Sequence, residues 1–206
     1  VILPNKIFFT GAPGSKWSGI AQVLEEHPQF NTTDRTPERT YTHHSYAGHK
    51  GTHHSYAGHK GAYFGTGMEF EADPYIVPQA YEDPAAGTMI AKSHEWLFGI
   101  PGYLEAHSVK HNAWTMLVYR PNDLCMEWWQ AAGGFGITYP DYKHYTDNSR
   151  MAYCIREQNE AMLRFAFYKN LKWDYFTSKW IDENFGIKGA ILPRSNLDTL
   201  VTIYRP

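Results

Sequence analysis

The sequence predicts an α/β fold, and two stretches carry that prediction. Residues 6–24 read as strand, tight loop and helix. The apolar run Ile7-Phe8-Phe9 ends in Gly11-Ala12-Pro13-Gly14-Ser15-Lys16, and then Ile20, Val23 and Leu24 recur at helical spacing until His27-Pro28 stops the pattern. Residues 114–132 repeat the order. Trp114 to Tyr119 is a buried-looking strand, Arg120-Pro121-Asn122-Asp123 is its exit, and Leu124 to Ala132 is a helix that breaks at Gly133-Gly134. Strands alternating with helices pack as layers around a sheet.

Bulk properties bound the rest. At 206 residues the chain is most simply one domain, 1–206, and a hydrophobic share of 43% against 19% charged residues is that of a globular protein with a substantial core. A net charge of −2 provides no general attraction to nucleic acid or to an anionic membrane, so any anion site must be local. Aromatic residues make up 16%, enough for an aromatic-walled cleft or for a merely aromatic core. Cys125 and Cys154 lie inside apolar-periodic segments as small buried hydrophobes, with neither metal spacing nor a disulfide framework. The N-terminus runs straight into a strand and no apolar run approaches the ~20 residues of a membrane span, so a cytoplasmic protein is expected.

Taken in order, residues 31–42 are polar and read as loop. A decapeptide from Thr42 to Gly51 then recurs letter for letter as Thr52 to Gly61. Two copies are too few for a solenoid. The six histidines of this insertion (42–61) invite a metal reading, but its low apolar content fits a surface hairpin or loop better. Residues 62–84 carry several Gly and Pro and read as connector. Thr88 to Ala91 is a strand running into Lys92-Ser93-His94. Beyond residue 132, Phe135 to Tyr145 is aromatic loop, and Ser149 caps a long helix reaching about Asn170. Its buried stripe is Met151, Ile155, Met162 and Phe165, and its wet face is Arg150, Arg156, Glu157, Glu160 and Arg164. A short strand is expected within 171–176, a helix over Ser178–Phe185 stopped by Gly186, a turn at 193–196, and a last strand over Leu200–Tyr204. Asp123 or Asn122 is expected to cap the helix after Arg120.

Three strand ends carry residues suited to chemistry. The loop Gly11 to Ser18 aims backbone N–H groups and a helix N-terminus at one point, which suits a phosphate; Lys16 adds charge, and Ser15 and Ser18 add hydroxyls. A ligand-free strand-to-helix turn has the same sequence features. Lys92 and His94, two apart on a strand, point to one side, so the cation can keep the imidazole neutral as a general base. A strand-end His beside an exposed Lys is the plainer alternative. Arg120 leaves its strand at the edge where open α/β sheets bind ligands and is suited to phosphate; a structural pair with Asp123 is the competing reading.

This ordered set resembles the sulfotransferase family. The resemblance spans roughly residues 6–130 through three short motifs. It implies a three-layer, P-loop-type α/β fold with a mostly parallel central sheet, helices on both faces, and the donor 3′-phosphoadenosine 5′-phosphosulfate. The family's Pro-Lys-Ser-Gly-Thr-Thr loop corresponds to Pro13-Gly14-Ser15-Lys16-Trp17-Ser18, with Lys and Gly exchanged. Its Lys-Thr-His corresponds to Lys92-Ser93-His94. Its Arg-Asn-Pro-x-Asp, which grips the 3′-phosphate, corresponds to Arg120-Pro121-Asn122-Asp123, one residue shorter. Glu127 stands where the family has a Ser, and repels phosphate unless it points away. The family's C-terminal donor segment has only Arg194-Ser195 as a vague counterpart.

The resemblance implies that Gly11, Pro13, Gly14, Ser15, Lys16, Trp17, Ser18, Arg120 and Glu127 line the donor. It also implies that His94 takes the proton of a hydroxyl or amine on a small-molecule or glycan acceptor while Lys16 and Lys92 stabilise growing charge. No metal is required. A P-loop kinase is a rival, but it needs a carboxylate at a strand end to hold Mg²⁺, and no apolar strand here ends cleanly in Asp. A sulfotransferase-like fold reduced to a binding protein is the other rival.

Overall fold

The computed structural model describes residues 1–30, 88–92, 97, 102–131, 147–192 and 198–206. The His-rich repeat, the aromatic loops, Ser93, His94 and the 193–196 turn lie outside the described residues, as do the side chains of Ser18 and Lys92.

The described chain is mixed α/β. In order, it forms β1 (Lys6–Gly11), α1 (Trp17–Glu25), β2 (Met89–Lys92), α2 (Gly102–His111) and β3 (Trp114–Tyr119). There follow α3 (Asn122–Ala131), α4 (Asn148–Tyr168), β4 (Asp174–Tyr175), α5 (Ser178–Phe185) and β5 (Leu200–Tyr204). The strands make one sheet in the order β2-β1-β3-β5-β4. β2 and β3 flank β1 in parallel, with Phe9 opposite Lys92 on one side and Met116 on the other; β5 runs antiparallel to β3, and β4 antiparallel to β5. The expectation of a mostly parallel sheet is thereby corrected to a mixed one. β5 enters at the edge where β3 leaves, Leu200 facing Tyr119, so it can only run back along its neighbour.

β1 is buried along its whole length, which is why it reads as an unbroken apolar run. Its side chains alternate between two clusters. Phe8 packs with Leu104, Leu117, Cys125, Ile155 and Phe165, drawing in α2, α3 and α4. Ile7 and Phe9 pack with Ile20, Leu24, Val118, Trp180 and Val201, drawing in α1 and α5. Each such side chain contributes about 1.5–3 kcal/mol when fully buried, so the strand ends are firmly anchored.

Element boundaries fall close to the sequence expectations, and the caps account for the differences. α4 begins after Asp147, whose Oδ1 accepts from the Arg150 N–H at 2.8 Å; Asp147 and not Ser149 is its cap. α3 starts at Asn122 itself, so neither Asn122 nor Asp123 caps it. Asp123 lies in its first turn, where a negative charge is favourable. The strand expected within 171–176 is only two residues long. Thr177 caps α5, and Gly186 ends it at φ +72°. α2 is a helix that the sequence pattern did not announce. The predicted stripe of α4 is buried as read, and Cys154, Gln158, Asn159 and Ala166 join it.

Candidate anion site at the strand edge

The parallel order of β2, β1 and β3 brings Lys92, Gly11 and Arg120 to the same edge of the sheet. The first of these is located by its backbone; where its side chain and His94 go lies outside the described residues. The other two motifs meet through their side chains.

After β1 the chain turns at Ala12-Pro13-Gly14-Ser15, with the Ser15 N–H donating to the Ala12 carbonyl at 3.0 Å. Pro13 followed by Gly14 at φ +79° is the chemistry of a type II turn. Gly14 is required twice over. Its φ is left-handed, and a Cβ there would lie 2.1 Å from the Cys125 carbonyl oxygen of α3. A longer side chain at position 14 therefore has no room here. The cation stands at Lys16, which takes φ +65°, a conformation that suits glycine. This costs about 1–3 kcal/mol, less than the burial of Ile7, Phe8 and Phe9 supplies next door.

The Lys16 carbonyl accepts the first bond of α1, from the Ile20 N–H at 3.1 Å. Trp17, 3% exposed, packs in the core with Ile20 and Phe9. Ser15 is fully buried against Gly11, and its Oγ has no hydrogen-bond partner among the described residues. Pro13 is buried, and Glu127 is exposed on α3.

Lys16 and Arg120 converge on a residue that sequence reasoning missed. Lys16 Nζ donates to Asp198 Oδ1 at 2.9 Å and Oδ2 at 3.2 Å. Arg120 donates to Oδ2 from Nη2 at 2.9 Å and from Nε at 3.2 Å. The partner of Arg120 in this site is thus Asp198, and not the Asp123 of the competing reading. Arg120 Nη1 also donates to the Gly14 carbonyl at 3.3 Å and to the Leu124 carbonyl, clamping the loop to α3. Lys16 Nζ lies 5.0 Å from the centre of the Trp128 ring, within cation–π range. From α4, Asn159 Nδ2 holds the Arg120 carbonyl at 2.9 Å and Asn122 Oδ1 at 2.7 Å.

The two cationic side chains are only 6% and 8% exposed, whereas the carboxylate is 44% exposed. Partial burial alone pushes the Asp198 carboxyl upward. Hydrogen bonds and charge from Lys16 and Arg120 outweigh it and hold the group below the ordinary carboxylate range. Burial pushes the Cys125 thiol up to about 12 despite the nearby guanidinium, so it stays neutral beside the site.

Asp198 could not be recognised in sequence because it precedes its strand. Only the antiparallel course of β5 carries a residue before Leu200 to the edge where β1 and β3 end. Among the described residues no group of three or more His, Cys, Asp or Glu is placed to hold a metal, and no helix is long and apolar enough to cross a membrane. Comparisons with protein-family models, with curated proteins and with solved structures give no match.

Proposed function

We propose that this strand edge binds a phosphorylated adenosine donor and that the protein is a sulfotransferase-like enzyme, moving a sulfuryl group from 3′-phosphoadenosine 5′-phosphosulfate to an acceptor hydroxyl or amine. The reading takes the fold as the three-layer P-loop type. One observation carries it: two buried cations from two strand tips, Lys16 and Arg120, meet at one point beside a strand-loop-helix turn. That arrangement suits an oxyanion. Ser15, buried without a hydrogen-bond partner among the described residues, leaves a hydroxyl in the same loop.

In this reading Arg120 orients a phosphate and Lys16 stabilises charge on the transferring group. His94, two residues beyond the end of β2, takes the acceptor proton. Calorimetry with adenosine 3′,5′-bisphosphate tests the donor site. Binding that is lost in Arg120→Ala is expected, and no binding to the wild type sinks the proposal. His94→Ala should slow sulfuryl transfer by about 10²–10⁴-fold while the donor product still binds; full activity would remove His94 as the base.

Asp198 favours a second reading. A carboxylate already seated between both cations fits a binding protein that has kept the fold without turnover. Binding of the bisphosphate with no transfer to any acceptor hydroxyl or amine distinguishes it.

A further inference from the structure

We infer that Asp198 is a resident anion, occupying the seat between Lys16 and Arg120 that a phosphate or sulfate group takes when it binds, and exchanged for that group. The inference rests on this edge being an oxyanion site, not on sulfuryl transfer itself.

Three observations converge. First, Lys16 and Arg120 both donate to one carboxylate, so the seat is lined by two cations from distant parts of the chain. A dianion matches both, and its tetrahedral oxygens can serve the ammonium and the planar guanidinium together.

Second, the partners are held unequally. Arg120 is clamped by the Gly14 and Leu124 carbonyls, and its own carbonyl is held by Asn159. Lys16 is buried over Trp128. Asp198, nearly half exposed, has besides these cations only a 3.4 Å contact from the Thr199 hydroxyl among its described hydrogen bonds. The carboxylate is therefore the partner free to leave, and the seat persists without it.

Third, the Lys16 and Arg120 side chains are only 6% and 8% exposed. An internal carboxylate in place of a ligand also explains how two buried cations are tolerated in the free protein, where an unpaired buried charge is strongly unfavourable.

The test compares wild type with Asp198→Asn by calorimetry at fixed salt, using inorganic phosphate and adenosine 3′,5′-bisphosphate as probes. Both are expected to bind the variant about tenfold more tightly or better, a difference of about 1.4 kcal/mol. Equal affinities in the two proteins overturn the exchange while leaving the edge an anion site. No binding by either protein overturns both the exchange and the donor-site reading. Tighter binding of phosphate with no gain from the adenosine supports the exchange and counts against the nucleotide donor.

If the variant folds poorly, the wild type answers by carboxyl NMR. Among the described residues, the charged and titratable groups facing Asp198 are Lys16 from the loop, Arg120 from the β3 exit and the neutral Cys125 thiol from α3. Saturating phosphate should move the Asp198 titration back toward the ordinary range as Lys16 and Arg120 turn to the ligand. An unchanged titration overturns the inference.

Discussion

Lys16 combines two demands that conflict. Its ammonium reaches Asp198, while its backbone sits at φ +65°, where a side chain is strained. Replacing it by Gly or by Ala removes the charge equally, but only Gly relieves the backbone. Lys16→Gly is expected to be about 0.5–1 kcal/mol more stable than Lys16→Ala in urea denaturation, after allowing for the freedom Gly adds to the unfolded chain. The reverse order would mean that the left-handed turn is not formed in solution. Gly14 and Gly186 make a second pair. Both have positive φ, but a Cβ at 186 meets open space whereas one at 14 collides with the Cys125 carbonyl. Gly186→Ala should cost about 1–2 kcal/mol from strain alone. Gly14→Ala adds overpacking to the same strain and should cost about 3 kcal/mol or more, with α3 displaced. The Pro-Gly pair was legible as a tight turn; the carbonyl that forbids a side chain at 14 belongs to an element over a hundred residues away and was not.

At the scale of elements, the helices follow local rules, and their ends can be tested separately. Asp147→Ala should destabilise the fold by about 1 kcal/mol through loss of the α4 cap, whereas Ser149→Ala should fall within about 0.5 kcal/mol of wild type. Equal losses in a denaturation series would return the cap to Ser149. Sequence could not choose between them, because both are good cap residues two positions apart and only the extended backbone at Asp147 decides. α4 also reaches the site. Asn159 is buried on its inner face and binds the Arg120 carbonyl and the Asn122 side chain. Asn159→Ala should cost about 1–3 kcal/mol and weaken phosphate binding without touching the ligand, since it loosens the turn from which Arg120 projects. Helical periodicity assigned the stripe around Met151, Ile155 and Met162. It could not show that a polar residue within that stripe is a support for a strand exit, because that depends on which loop lies beneath it.

For the molecule as a whole, the site binds distant parts of the chain together, since Asp198 lies 182 positions from Lys16 and 78 from Arg120. Its carboxyl titrates lower in the folded chain than its ordinary value of 3.8, so on acidification the unfolded state takes up that proton first. The stabilisation from Asp198 is complete above the ordinary carboxylate range and is lost as pH falls through the depressed folded value. Denaturation from pH 7 to pH 2 should show the gap between wild type and Asp198→Asn closing in acid; a gap independent of pH would mean that the carboxylate is not paired as described. By itself the sequence determined what depends on near neighbours: the apolar runs of β1, β3 and β5, the periodicity of α1, α4 and α5, the turn at Pro13-Gly14, and the strand-end positions of Lys92 and Arg120. Tertiary structure alone decided that β5 runs antiparallel and that Lys16 and Arg120 share Asp198. Strand direction and long-range ion pairing are set by which surfaces the whole chain can bury at once, and spacing along the chain carries no record of that.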